Sequence, residues 1–156
     1  MMNTEQLKTK YGIPNLIGAG YLVTISLPFK MRIAWQRNSF VTRIQCHQLI
    51  AEQLTAALRD ILAHYGYEKL VELGIDLYGG CFNYRFMRGS AEKLSHHSWG
   101  VAIDLDPERN LLGETAKTAR FARPEYKAMI DIFYKHGFFS LGREKNYDWM
   151  HFEIAE

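Results

Sequence analysis

The sequence predicts an α+β fold, a small antiparallel sheet packed against one long helix and shorter helices. Three observations predict it. A long apolar stripe recurs at helical spacing between Ile50 and Tyr65. Several short segments alternate apolar and polar residues, as half-buried strands do. The long helix comes before most of the strands and one more helix before the last, so strands and helices do not alternate one for one.

Residues 1–20 read as an N-terminal arm, with turn signals at Pro14–Asn15 and Gly18–Gly20. Residues 22–27 alternate enough for a short strand, stopped by Pro28. Residues 32–35 offer another. The long helix is placed over 42–65, where Ile50, Leu54, Leu58, Ile61, Leu62 and Tyr65 form one stripe. Glu52, Gln53, Arg59 and Asp60 face away from it, and Gly66 stops it. A shorter helix covers 68–73. A strand over 76–84 carries a bend or bulge at Gly79–Gly80. Residues 85–96 are polar and rich in turn formers. In the strand over 101–105, Ala102 and Asp104 point one way and Val101, Ile103 and Leu105 the other. Pro124 opens a helix with Met129, Ile132, Phe133 and His136 on its inner stripe, ended by Gly137. The last strand spans 149–154. There Trp149, His151 and Glu153 share one face, while Met150, Phe152 and Ile154 share the core face.

Length and composition bound the function. The 156 residues fit a single domain over 1–156, large enough to bury a core without disulfides. Apolar residues are 47% and charged residues 23%, ordinary for a globular chain. A net charge of +2 lacks the dense basic field of a nucleic-acid binder, so no nucleic-acid partner is expected. No run nears the ~20 apolar residues of a membrane span. The polar start MMNTEQLKTKYG has no basic segment followed by an apolar one, so no signal peptide is expected and synthesis is placed in the cytoplasm. Cys46 and Cys81 are too few for a disulfide framework. They read as two buried thiols, or as one disulfide if the fold joins them.

Two segments carry chemistry. The first is Ser95-His96-His97-Ser98-Trp99-Gly100-Val101-Ala102-Ile103-Asp104, and the second is Asp148-Trp149-Met150-His151-Phe152-Glu153. Gly100 permits a tight turn between His97 and the strand that carries Asp104. Imidazole and carboxylate are ordinary zinc ligands, and His151 adds a third donor. Three protein ligands leave a fourth position open, the arrangement of catalytic zinc. Asp148, three residues before His151, is a candidate general base. Singly, each histidine would read as a surface or satisfied core residue, and only the joint pattern points to one zinc ion. Glu153, on the face of His151, is placed to hydrogen-bond a ligand histidine, whereas His96 is expected to point away. His47, His64 and His136 read as structural residues on or at the ends of helices.

The pattern Ser-x-His-x-x-Gly-x-Ala-x-Asp, followed by Trp-x-His, resembles the zinc peptidases that include D-alanyl-D-alanine carboxypeptidases, D-Ala-D-Ala dipeptidases and phage L-alanyl-D-glutamate endopeptidases. Ser95, His97, Gly100, Ala102 and Asp104 match its first part, and His151 matches its second. The resemblance runs more weakly over 79–153. It implies zinc on His97, Asp104 and His151, and an upstream arginine that steadies the oxyanion. Arg85 fits that role, with Arg88 as the rival. Many members of the family carry Glu where this chain has Asp148. Ser95 is expected to orient a ligand or a substrate carbonyl, and Trp99 to wall the groove. The implied substrate is a peptidoglycan stem peptide, cut by a monomer at L-Ala-D-Glu in the endolysin manner, after release through holin-type pores or lysis. The alternatives are a D-Ala-D-Ala carboxypeptidase or dipeptidase, and a catalytically idle zinc-binding domain.

Overall fold

The computed structural model describes residues 1–156. Its six strands form one sheet: β1 (Leu22–Ile33), β2 (Gln36–His47), β3 (Leu77–Gly80), β4 (Ala102–Leu105), β5 (Phe138–Ser140) and β6 (His151–Ile154), in the spatial order β2-β1-β3-β4-β6-β5. Every neighbouring pair is antiparallel except β1 and β3. Five α-helices accompany it: α1 (Thr4–Tyr11), α2 (Ala51–Tyr65), α3 (Tyr67–Glu72), α4 (Lys127–Lys135) and α5 (Leu141–Lys145). The α+β expectation therefore holds, with a larger sheet than the sequence suggests.

The N-terminal half departs most from expectation. Residues 4–11 are a helix, not an arm. Asn3 accepts from the Gln6 amide at 2.9 Å while the Gln6 side chain accepts from the Asn3 amide at 2.9 Å. This reciprocal cap satisfies two backbone donors that the first turn leaves open. Leu7 and Tyr11 bury the inner face, and the Tyr11 hydroxyl donates to the Glu156 carbonyl.

Pro28 does not stop β1, because the pairing with β2 shifts register between Ser26 and Met31. A proline there costs no ladder hydrogen bond. The strand expected at 32–35 is the end of β1, which turns at Ala34–Trp35 into β2. Residues 42–47, expected to be helical, belong to β2. Its inner positions Ile44 and Cys46 alternate, and Val23↔Cys46 and Ile25↔Ile44 pair across the hairpin. The long helix starts only at Ala51, after a short turn of 3₁₀ helix over Gln48–Ile50.

The core lies between the sheet and helices α2 and α4. Leu54, Leu58 and Ile61 of α2 meet Met129, Ile130 and Phe133 of α4 there. Phe133 stacks on Phe152 of β6, with centroids 4.2 Å apart and planes at 16°. Each such ring contributes about 2–3 kcal/mol by leaving water. Pro124 opens a 3₁₀ turn, and α4 proper follows from Lys127. Ile130 is buried on α4 while Ile132 and His136 are only partly covered. The bulge expected at Gly79–Gly80 is present as a register shift between β3 and β4. Short strand β5 and helix α5, absent from the sequence reading, prop β6 from its far side.

Two ion pairs on buried carboxylates brace the sheet end. Arg32 grips Asp76 with bonds of 2.7 and 2.8 Å. Arg109 holds Asp106 at 2.7–2.8 Å. Cys46 and Cys81 are buried free thiols. No helix is long and apolar enough to cross a membrane.

Candidate metal centre

Backbone geometry brings the three donors together. His97 sits in a turn of 3₁₀ helix over His96–Trp99. The Ser95 hydroxyl accepts from the His97 amide at 3.2 Å. Gly100 closes the turn at φ +70°, and its amide donates to the His97 carbonyl at 3.0 Å. A β-carbon at Gly100 would lie 2.8 Å from Leu22 and 3.0 Å from the His47 nitrogen, so both conformation and space require glycine. Asp104 on β4 pairs directly with His151 on β6. Residues opposite one another in an antiparallel pair hold their β-carbons about 5 Å apart.

The donor atoms of His97, Asp104 and His151 all lie within 4.8 Å of one another. Asp104 Oδ2 is 3.1 Å from His97 Nε2, and Asp104 Oδ1 is 3.1 Å from His151 Nδ1. The two imidazoles stand perpendicular, at 89°, with centroids 5.0 Å apart. Their outer nitrogens are committed elsewhere. His97 Nδ1 donates to the Cys81 carbonyl at 2.8 Å. His151 Nε2 donates to Glu153 Oε1 at 2.8 Å. Those bonds fix the tautomers that turn His97 Nε2 and His151 Nδ1, as lone pairs, toward the same point as Asp104. Two imidazole nitrogens, one carboxylate and settled outer hydrogen bonds fit a zinc ion.

The electrostatics agree. Burial alone would raise the Asp104 carboxyl, but the His97 and His151 rings hold it well below the usual carboxylate range. Burial works against a charged His151, yet the Asp104 and Glu153 carboxylates outweigh it and push the ring up to about 10. Glu153, 1% exposed, would also be raised by burial. Its bonds to His151 and His96 instead bring it down to about 2. In the metal-free protein a proton thus stands where a cation would sit, and metal binding must release it.

His96 stays outside the donor set and turns to Glu153. Its Nδ1 lies 2.7 Å from Glu153 Oε2, so Glu153 bridges His96 and the ligand His151. His47 ends β2 and caps the 3₁₀ turn over Gln48–Ile50, with Nε2 2.8 Å from the Tyr11 carbonyl and Nδ1 accepting from the Leu49 amide at 3.1 Å. His136 closes α4 and pairs with Asp60 at 2.6 Å.

Asp148 occupies the turn before β6 in a left-handed conformation, φ +54°. Its amide donates to the Leu112 carbonyl at 2.9 Å, and its carbonyl accepts from the His151 amide at 3.1 Å. Burial raises its carboxyl to about 6. The His151, His97 and Arg88 charges pull it down and Asp104 adds to the rise. Asp148 therefore feels all three donor residues.

A cleft of about 320 Å³ opens beside the centre, lined by Trp35, Gly79, Gly80, Phe82, Asn83, Arg85, His97 and Asp104. Arg85 is anchored through its backbone. Its amide donates to Ser98 Oγ at 3.2 Å, and its carbonyl accepts from the Ser95 amide at 2.8 Å. The guanidinium bonds only the neighbouring Phe86 carbonyl, at 3.2 Å. Arg88 is exposed on a loop stem closed by the Phe86↔Leu94 bridge and a 2.7 Å bond from the Met87 amide to the Lys93 carbonyl. Trp99 does not wall the groove. It is 0% exposed, and its indole donates to the Gly12 carbonyl at 2.7 Å, so it is a core residue beneath the ligand turn. Trp35, Phe82 and Asn83 were missed from the sequence, which carries no local signal that would bring a hairpin tip and a loop after β3 to His97.

Residues 88–154 match the family model described as D-alanyl-D-alanine carboxypeptidase. Over this segment the chain is similar to that peptidase family. All three donors and Asp148 fall within the matched stretch, whereas Trp35, Phe82, Asn83 and Arg85 lie outside it. No curated protein and no solved structure matches the chain. The carboxypeptidase-family match and the buried His–Asp–His cluster together support a metallopeptidase.

Proposed function

We propose that the protein is a zinc-dependent hydrolase of peptidoglycan stem peptides that cuts the L-Ala-D-Glu bond. The observation that carries the reading is a His97–Asp104–His151 donor set beside an open cleft, with a half-buried carboxylate, Asp148, in its field. His97, Asp104 and His151 would hold the ion. A zinc ion held there supplies Lewis acidity at neutral pH.

The chain's own groups do the rest. Asp148, ionised, accepts the proton of the attacking water and later delivers it to the leaving amine. Burial raises its carboxyl above the usual carboxylate range, which favours the return of the proton to the leaving amine. Arg85 reaches into the cleft and donates to the oxygen on which negative charge develops. Glu153 keeps His151 in the tautomer that presents Nδ1.

Digestion of purified sacculi with zinc-loaded protein, followed by mass spectrometry, tests the reading. New amino ends at D-glutamate are expected. Free D-alanine instead would favour the second reading, a carboxypeptidase, which the description of the matching family supports. No new ends of either kind would sink both.

A further inference from the structure

We propose that Trp35 is a sugar platform, whose indole face stacks on the N-acetylated sugar that bears the stem peptide while the Asn83 amide, which lines the same cleft, bonds that sugar's polar groups. The proposal rests on the peptidoglycan reading and deepens it.

Trp35 sits at the turn between β1 and β2 and is 68% exposed. The other two tryptophans, Trp99 and Trp149, are at 0% and 8%. An indole left in water forgoes a large part of the stabilisation its burial would give. The tip that carries it is tied to β3 on one side. The Ala34 amide donates to the Tyr78 carbonyl at 2.9 Å, and Arg32 is clamped on buried Asp76. On the far side Arg37 pairs with Glu108 at 3.0 Å. The turn that carries the ring is therefore set at a defined place on the sheet.

That place is the cleft of the donor residues. Trp35 lines the same 320 Å³ space as His97 and Asp104. A flat aromatic face and a planar amide lining one cleft match the two surfaces of a pyranose, an apolar C–H face and a rim of hydroxyl and acetamido groups. Gly80 leaves the floor open, since a β-carbon built there meets nothing.

The platform also bears on which bond is cut. In peptidoglycan the sugar's lactyl group carries L-alanine first. A cut after L-alanine lies one residue from the sugar. A cut at D-Ala-D-Ala lies four residues away, about 13 Å along an extended chain. An aromatic platform sharing a cleft with the donors fits the nearer bond.

The test is a binding titration of zinc-loaded Asp148→Asn protein with N-acetylmuramyl-L-alanyl-D-isoglutamine and with the same dipeptide lacking the sugar. Because Trp35 is the exposed tryptophan, a blue shift of its fluorescence reports stacking. The sugar-bearing ligand is expected to bind about five- to tenfold tighter and to shift the emission. Trp35→Ala should erase that preference, and Trp35→Phe should keep part of it. Equal affinities for the two ligands, or a preference that survives Trp35→Ala, would overturn the proposal. Hydrolysis of the L-Ala-D-Glu bond of a muropeptide by the unsubstituted protein is measured separately. Its absence would overturn the endopeptidase reading, whereas the platform stands or falls on the titration.

Discussion

Asp148 combines two unfavourable features, a left-handed backbone at φ +54° and a carboxylate that burial raises to about 6. Both are locally destabilising and both have a use. The folded protein binds more protons than the unfolded chain between pH 3.8 and about 6, so this group's contribution falls as pH rises through that window. Asp148→Asn removes the charge and tolerates the left-handed conformation. Metal-free Asp148→Asn should therefore be about 3 kcal/mol more stable than the parent at pH 7, with the gain gone below pH 3.8. Urea unfolding at the two pH values checks this. The same variant should keep zinc and lose hydrolysis by about 10²–10⁴-fold. Retained hydrolysis would remove Asp148 from the mechanism, and full hydrolytic loss with intact zinc binding would dismiss an idle zinc domain. Arg88→Ala removes a charge that lowers the Asp148 pKa, so the acid limb of the activity profile should move to higher pH. Glu153 acts one bond further out. Glu153→Gln should weaken zinc binding by about 10–100-fold in a chelator competition, because His151 loses its charged acceptor.

The donor residues were legible because they sit in two short segments whose spacing is itself the signal. Their supports were not. His96 and Glu153 are 57 residues apart, and only strand register brings them to 2.7 Å. Elements show the same division. Helix α2 announced itself through a full apolar stripe, whereas α1 buries only Leu7 and Tyr11 and hides in polar sequence. Strand β2 is buried mainly at its C-terminal end, at Ile44, Cys46 and His47, so its period-2 signal is too short to separate it from the helix that follows. Helix α5 was also missed, yet it constrains the site. A β-carbon on Gly142 would lie 2.2 Å from the Trp149 ring, between Asp148 and Met150. Gly142→Ala should lower the melting temperature and reduce activity together, since the turn carrying Asp148 must shift. His47 belongs to this scale because it ties β2 to α1. Burial lowers its pKa, partly offset by its bond to the Tyr11 carbonyl. The unfolded chain then binds more protons, so stability is lost as pH falls through 6.5 toward the folded value. His47→Gln should show a shallower loss than the parent between pH 7.5 and 5.5, as followed by denaturation.

For the molecule as a whole, the core and the centre are joined through β6. Phe152 faces the core against Phe133, and its neighbours His151 and Glu153 face the donors. Phe133→Ala should cost about 3–5 kcal/mol and weaken metal retention along with it. Chelation should act in the opposite direction, from site to fold. Removing a metal present at about a thousand times its Kd withdraws roughly 4 kcal/mol of stabilisation, and the melting temperature should return when zinc is added back.

The braced hairpin of β1 and β2 divides labour along the chain. The residues of the proposed chemistry occupy a stretch from Arg85 to Glu153, while Trp35 arrives from an earlier hairpin that meets β3 at Arg32–Ala34. Its tip can change without altering a single donor or the turn that holds Asp148. Grafting a different two-residue tip between Ile33 and Gln36 is thus a route to new substrate preferences on an unaltered hydrolytic apparatus, and natural drift can use the same seam.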